Sequence, residues 1–291
     1  MSGFFCFGLG YSAGYLARAL AGDGWRIAGT TREAGAAAAK GWKIHVFSRS
    51  QPLADPAAAM AGSTHVLLSV PPDEAGDPVF DRHGAALASV PELRWLGYLS
   101  TTGVYGDRRG AWVDEETPPD PVGERGRRRL AAEEGWRALA SEHRLPLHIF
   151  RLAGIYGAGR SALDAVRQGR AQRIDRPGHV FSRIHVLDLV AVLAASMAHP
   201  VSGAVYNVCD DEPAPAGDVV ARACALLGVP PPPLVPFEAA GLSPMAASFY
   251  DDNKRVANRR IKAQLGVTLK YPSYREGLAA ILAEEAVTPP A

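Results

Sequence analysis

The chain has 291 residues, and 31 lysines and arginines against 30 aspartates and glutamates leave a formal charge of +1. With no strong field to attract a polyanion, neither nucleic acid nor an anionic membrane surface is an expected partner. A hydrophobic content of 47% with 21% charged residues is that of a globular chain, sufficient for one large domain or a domain plus a lobe. Apolar stretches such as Val186 to Met197, interrupted by Asp188, fall short of the roughly 20 residues that span a bilayer, so no membrane helix is expected.

The N-terminal run Phe4 to Leu20 is apolar, and Ala19-Leu20-Ala21 imitates a leader cleavage site. It lacks a basic start and is interrupted by Gly8, Gly10 and Gly14, so it reads as the first structural elements and not as a leader. Cys6, Cys209 and Cys224 form an odd set with no Cys-x-x-Cys spacing, which fits buried thiols in a cytoplasmic protein better than disulfides or zinc. Nor do the eight histidines show metal-ligand spacing; no metal is expected.

Short apolar runs alternate with helical patterns through the first half. Strands are expected at Phe4 to Phe7, Arg26 to Thr30, Ile44 to Phe47, His65 to Val70, Trp95 to Ser100 and Leu147 to Leu152. Between them, helices are expected at Ala13 to Ala21, Ala57 to Ala61, Val79 to Ser89 and Arg127 to His143. That alternation predicts an α/β fold: a doubly wound, six-stranded parallel sheet. Residues 1–155 are assigned to this domain, with 183–208 returning to it, and 156–291 mainly to a smaller C-terminal substrate lobe. The lobe carries helices at Val186 to Ala198 and Ala216 to Leu227, a strand at Ala204 to Val208, and an extended loop at Pro230 to Pro233 with Pro236.

The first strand runs into Gly8-Leu9-Gly10-Tyr11-Ser12-Ala13 and then a helix, the strand, Gly-x-Gly-x-x-Ala turn and helix of a Rossmann dinucleotide site. Gly8 permits the turn, Gly10 lets backbone approach a pyrophosphate, and the helix start at Tyr11, Ser12 and Ala13 offers N–H donors. Gly10-Tyr11-Ser12-Ala13-Gly14 also fits a hydrolase nucleophile elbow, but only nine residues precede it, too few for the strands that carry the oxyanion loop. The second strand ends Gly29-Thr30-Thr31-Arg32 where an acidic residue would hold a free ribose diol; the two hydroxyls and the guanidinium suit a phosphate, so NADP(H) is favoured over NAD(H). Ser69, Val70 and Pro71, after the fourth strand, are expected to line the cofactor crevice.

Ser100-Thr101-Thr102-Gly103-Val104-Tyr105-Gly106, Arg151-Leu152-Ala153-Gly154-Ile155-Tyr156-Gly157 and Arg183-Ile184-His185-Val186-Leu187-Asp188 resemble the extended short-chain dehydrogenase/reductase superfamily, its NAD-dependent epimerase/dehydratase group. Asn253 to Asn258, Leu265-Gly266 and Tyr271 to Leu278 extend the resemblance over nearly the whole chain. It implies that Thr101, with Thr102 beside it, hydrogen-bonds a substrate oxygen. It also implies a Tyr-x-x-x-Lys some 25 residues on, but Arg125 and Arg129 stand in those places, and no lysine lies between Lys43 and Lys254. A guanidinium cannot act as an acid at neutral pH. The pattern is that of atypical superfamily members, with Arg129 left as a fixed cation for a ribose hydroxyl. A Tyr-x-x-x-Lys at Tyr250 to Lys254 lies in the C-terminal part and is read as chance spacing.

Tyr105 and Tyr156 are the phenols that could face the nicotinamide pocket, Tyr105 being the nearer to Thr101 in sequence. His185 and Glu124 are weaker candidates for an acid; the resemblance implies that His185 and Asp188, at the start of a helix, help pack the lobe beside the cofactor. Arg160 and Arg183 are candidates to hold an anionic substrate group. The arginines at 125 and 127–129 read as helix partners of Glu133 and Glu134, one turn on, rather than as a nucleic-acid patch. This helix would form a homodimer, as its counterpart does in many superfamily members. The function expected is an NAD(P)-dependent oxidoreductase or epimerase-like enzyme with a non-standard active site acting on a small molecule; the alternative is a catalytically inactive NAD(P)-binding sensor or scaffold.

Overall fold

The computed structural model describes residues 2–33 and 41–287. In chain order the elements begin β1 (Gly3–Phe7), α1 (Tyr11–Gly22), β2 (Arg26–Thr31), β3 (Lys43–Val46), α2 (Pro56–Ala59), β4 (His65–Leu68), α3 (Pro78–Ala88) and β5 (Trp95–Thr101), then a 3₁₀ turn (Thr102–Tyr105) and β6 (Trp112–Val113). They continue as α4 (Glu124–His143), β7 (Leu147–Leu152), β8 (Gly154–Tyr156), α5 (Ala162–Arg167), β9 (Arg173–Asp175), β10 (Arg183–His185), α6 (Val186–Ala198) and β11 (Val205–Val208). The last are α7 (Ala216–Leu227), β12 (Leu234–Pro236), α8 (Pro244–Ala247), β13 (Arg255–Val256), α9 (Arg259–Leu265) and α10 (Tyr274–Val287). The chain divides into two compact units: Met1–Val104, Glu124–Arg151 and Val190–Tyr206 form the first, and Tyr105–Gly123, Leu152–Leu189 and Asn207–Ala291 the second.

The first unit is built on a seven-stranded sheet of order β11-β7-β5-β4-β1-β2-β3. Its central pairs are parallel, with Cys6 opposite Gly29 on one side and Leu67 on the other. The chain lays down β1 to β3 in one direction and resumes at β4 on the other side of β1, so the order reverses between β1 and β4. In such sheets that reversal opens a crevice beyond the carboxyl ends of the strands. All five residues of β1 are buried, as a strand covered on both faces requires. The sheet exceeds the six expected strands because Val205–Val208 adds to its edge beyond β7.

One core layer packs Phe5, Phe7, Phe47, Val66, Leu96 and Trp136, with Phe5 and Phe7 edge-on at 5.0 Å. Elsewhere in this unit an aromatic row crosses the strands: Trp25 lies 4.8 Å from His65, His65 6.3 Å from Trp95, and Trp95 5.9 Å from His148 between ring centroids. Burial pushes the two imidazoles down to about 4 and holds them neutral.

Helix α4 is docked by polar groups. Its buried residues are Gly126, Ala132, Glu133 and Trp136. Glu133 accepts from Ser100 Oγ on β5 at 2.5 Å and pairs with both Nε (3.1 Å) and Nη2 (2.8 Å) of Arg151 on β7. One turn on, Trp136 Nε1 donates to Asp77 at 3.0 Å, and Asp77 also caps α3 through the N–H groups of Val79 and Phe80. The helix starts at Glu124, not Arg127, because Glu124 receives Arg127 at 2.9 Å and Arg128 at 3.0 Å. Those two arginines therefore pair backward, not with Glu133 and Glu134 as the sequence suggested.

The second unit carries three short parallel strand pairs, β8 with β10, β9 with β12, and β6 with β13. Leu234–Pro236, expected to be loop, forms β12: Val235 stands opposite Ile174 in a two-stranded edge, the setting where proline is tolerated in a sheet. Helices α5, α7 and α10 close over Leu163, Ala223, Tyr274, Leu278 and Ile281. All three cysteines are buried and unbonded to one another. Among the described residues no helix is long and apolar enough to cross a membrane, and no group of side chains could hold a metal ion.

Removing one member of a buried ion pair leaves the other charge uncompensated. Glu133→Ala is expected to lower stability by about 3–5 kcal/mol, read from denaturant midpoints. For His65 and His148 the folded pKa lies below the unfolded value of 6.5, so the unfolded chain takes up protons first. Stability should be highest above 6.5 and decline as the pH falls towards about 4, a decline that His65→Phe reduces in pH-dependent melting.

Candidate functional site

The Gly8 to Ala13 turn follows directly from β1. Gly8 sits at φ +89°, and a Cβ there would come within 3.1–3.3 Å of Ser69 and Val70 at the end of β4. Its N–H donates to Thr30 Oγ1 at 2.9 Å, and the Leu9 N–H to the Thr30 carbonyl at 2.8 Å, so β2 fixes the turn from the side. Gly10 then begins α1 without a side-chain cap and with no acidic residue in the first turn. A Cβ at Gly10 would meet nothing within 4 Å. An uncapped helix start beside open space is what a pyrophosphate needs, with N–H donors and the positive dipole end available to it. Ala13 and Ser12 are buried against the sheet, and the half-buried Tyr11 ring packs edge-on against Tyr15 at 5.2 Å. These residues fit a dinucleotide.

At the end of β2, Thr31 is half-buried and donates to the Glu33 carbonyl at 2.8 Å, while Arg32 is exposed. Ser69 and Val70 are half-buried and Pro71 exposed, and the Ser69 N–H donates to Phe7, holding the end of β4 beside that of β1. Arg129 on α4 is half-buried; its Nη1 donates to the Leu99 carbonyl at 2.8 Å and reaches the Tyr98 hydroxyl at 3.3 Å. Arg125, one turn earlier, is exposed.

Thr101, the last residue of β5, is half-buried, and its Oγ1 accepts the Gly103 N–H at 3.1 Å. An accepting hydroxyl keeps its own proton to donate. The hydroxyl of Thr102, also half-buried, has no hydrogen-bond partner among the described residues.

The second unit holds the remaining candidates. Tyr105 is fully buried; its phenol donates to Asn207 Oδ1 at 2.7 Å, and the Asn207 N–H donates to Glu115 at 2.8 Å. Burial raises the Glu115 carboxyl above its ordinary value. Tyr156 donates to the Ser273 carbonyl at 3.2 Å. His185 lies 4.1 Å from the Tyr271 ring centroid and accepts the Leu187 N–H; burial first, and the Lys270 charge second, push it down to about 4. Asp188 caps the N–H groups of Lys270 and Tyr271. Lys254 pairs with Asp252 at 2.7 Å.

Comparison with known proteins identifies the fold. A conserved protein of unknown function from Silicibacter pomeroyi is 52% identical, with 98% of this chain and 99% of that one covered and a TM-score of 0.90. The UDP-glucuronic acid 4-epimerase of Bacillus cereus, determined in complex with NAD, superimposes with a TM-score of 0.76 over 96% of each chain at 16% identity. Further neighbours are a dTDP-glucose 4,6-dehydratase from Bacillus anthracis in complex with NAD and a Methylobacillus flagellatus protein assigned as an NAD-dependent epimerase/dehydratase. The chain has the epimerase/dehydratase fold. Its sequence is also 31% identical over 182 residues to the 3-diazoavenalumate denitrifying reductase of a Streptomyces species; that match takes in 57% of this chain and spans 58% of the reductase. No protein-family model matches.

In this epimerase/dehydratase fold, sequence reasoning missed Ser100, Glu133 and Asn207. Thr30, one of the two hydroxyls expected to face a phosphate, has its Oγ1 taken by the Gly8 N–H. The one signal for Glu133 is its place four residues after Arg129, on the same helix face as Trp136, a carboxylate on a stripe that also carries an indole. Thr30→Val would leave the half-buried Gly8 N–H without its side-chain acceptor, at an expected cost of about 1 kcal/mol, measured by denaturant unfolding.

Proposed function

We propose that the protein is an NADP(H)-preferring oxidoreductase of the epimerase/dehydratase-like short-chain dehydrogenase/reductase type, with a non-standard active site. The observation that carries the reading is the pairing, within one unit, of an uncapped glycine-lined helix start with a threonine hydroxyl that still has a proton to give. Backbone N–H groups of Tyr11, Ser12 and Ala13 hold the pyrophosphate, Gly8 and Gly10 keep the approach clear, and Ser69, Val70 and Pro71 line the crevice. Thr31 and Arg32 take the 2′-phosphate, and Arg129 serves as a fixed cation for a ribose hydroxyl. When bound, the nicotinamide supplies hydride transfer to or from carbon.

Thr101 orients a substrate carbonyl or hydroxyl and polarises it by donating its proton, with Thr102 as the second donor. Tyr105, taken from sequence as a catalytic phenol, belongs to this reading as the anchor of the turn that follows Thr101, since its hydroxyl is engaged by Asn207. A reductase role is further supported by the partial likeness to 3-diazoavenalumate denitrifying reductase.

Thr101→Ala is expected to lower kcat about 100-fold or more against a panel of aldehydes, ketones and nucleotide-sugar ketones, while NADPH affinity stays close to wild type; unchanged turnover would remove Thr101 from the mechanism. Arg32→Ala should weaken NADPH about tenfold or more and leave NADH almost unaffected. Equal losses for both cofactors would contradict the 2′-phosphate assignment, and absence of turnover with every substrate would favour the sensor or scaffold alternative.

A further inference from the structure

The second unit contains an open cavity of about 480 Å³, within the size range of roughly 300–1,000 Å³ that takes small organic ligands. Its wall includes Tyr156, Arg160, Arg170, Arg183, Tyr274 and Leu278. Three arginines and one aspartate lie on that wall. Arg183 Nη1 donates to two neutral carbonyls, of Phe181 at 2.8 Å and Ala214 at 3.0 Å, and its guanidinium stands 6.0 Å from the Tyr274 ring centroid. No carboxylate forms an ion pair with Arg183 among the described residues. Arg170 donates to the neutral side-chain oxygen of Gln168 at 2.9 Å.

The one carboxylate on the wall, Asp164, is occupied locally, accepting from Ser161 N at 2.8 Å and Ser161 Oγ at 2.6 Å as the cap of α5. Asp210 is not part of the wall and forms no ion pair with Arg183 among the described residues; burial pushes its carboxyl up to about 8, with the Arg183 charge pulling the other way. A guanidinium stays charged even where burial lowers its pKa. Ser161 and Gln168 add polar lining, and the apolar part is Val219 and Leu278 with small residues and the rings of Tyr156 and Tyr274. The Tyr156 phenol is tied to the Ser273 carbonyl, which fixes that wall.

We propose that this cavity is a binding site for a small aromatic monocarboxylate, its carboxylate held by Arg183 and Arg160 and its ring packed on Tyr156, Tyr274 and Leu278. A planar guanidinium fork recognises carboxylate and phosphate alike. The apolar and aromatic share of the lining selects a carboxylate carried on a ring over a free inorganic anion. The inference rests on the second unit alone and does not depend on the dinucleotide reading.

The test is a calorimetric titration of the cofactor-free protein with 4-hydroxycinnamate, its methyl ester and inorganic phosphate, repeated on Arg183→Gln, Arg183→Lys and Arg160→Gln, with a thermal melt to establish that each variant is folded. The expected result is saturable binding of 4-hydroxycinnamate, about tenfold or more weaker for the ester and for Arg183→Gln, and no displacement by phosphate at equal concentration. Arg183→Lys, which keeps the charge without the fork, and Arg160→Gln should fall between. Absence of 4-hydroxycinnamate binding, equal affinity for acid and ester, or unchanged affinity in folded arginine variants would overturn the proposal, and displacement by equimolar phosphate would overturn its aromatic part. Should Arg183→Gln fail to fold, the acid-against-ester comparison on the wild-type protein decides the question.

Discussion

The buried contact among Ser100, Glu133 and Arg151 is the constraint on which the first unit's working edge depends. Helix α4 packs only a narrow apolar face, Ala132 and Trp136 with Leu139 and Ala140, against the core. The buried carboxylate, with the bonds of Arg129 and Trp136 on either side of it, adds polar contacts that fix its register on the sheet. Because Ser100 immediately precedes Thr101 and Arg151 lies near the end of β7, this carboxylate also fixes the carboxyl ends of two strands. An ion pair so completely buried contributes definition more readily than net stability, because desolvating both charges offsets most of their attraction.

Arg129 is tied to the same edge: its guanidinium holds the Leu99 carbonyl and touches the Tyr98 hydroxyl. That contact needs a permanent cation with several donors and no proton exchange, which arginine supplies and lysine supplies less well. On the proposed reading, what remains for chemistry is the threonine pair at the end of β5, whose donor capacity survives because Thr101 accepts from its own turn.

Much of this architecture was legible in the sequence because it follows from local patterns. Buried strands such as Phe4 to Phe7, the Gly8 to Ala13 turn and the helices at Val186 and Ala216 carry their signals within a few residues. The seventh strand reads as a strand in the segment returning to this domain, but nothing local says that Val205–Val208 joins the sheet edge beyond β7. Glu133 reads from sequence as a surface residue in a charged helix, and only the return of β7, with Arg151, makes it a buried one. Tyr105 shows the converse: its closeness in sequence to Thr101 suggested chemistry, while its phenol is engaged by Asn207, a residue 102 positions later. Long-range polar pairs of this kind leave no periodic trace.

The account rests on a dinucleotide held at the uncapped start of α1, with its 2′-phosphate at Arg32. The most direct test is calorimetric titration of the purified wild-type protein with NADPH and, separately, NADH, after removal of any carried-over cofactor. The account predicts saturable binding of NADPH at one site per chain and clearly weaker binding of NADH; binding of neither would contradict it.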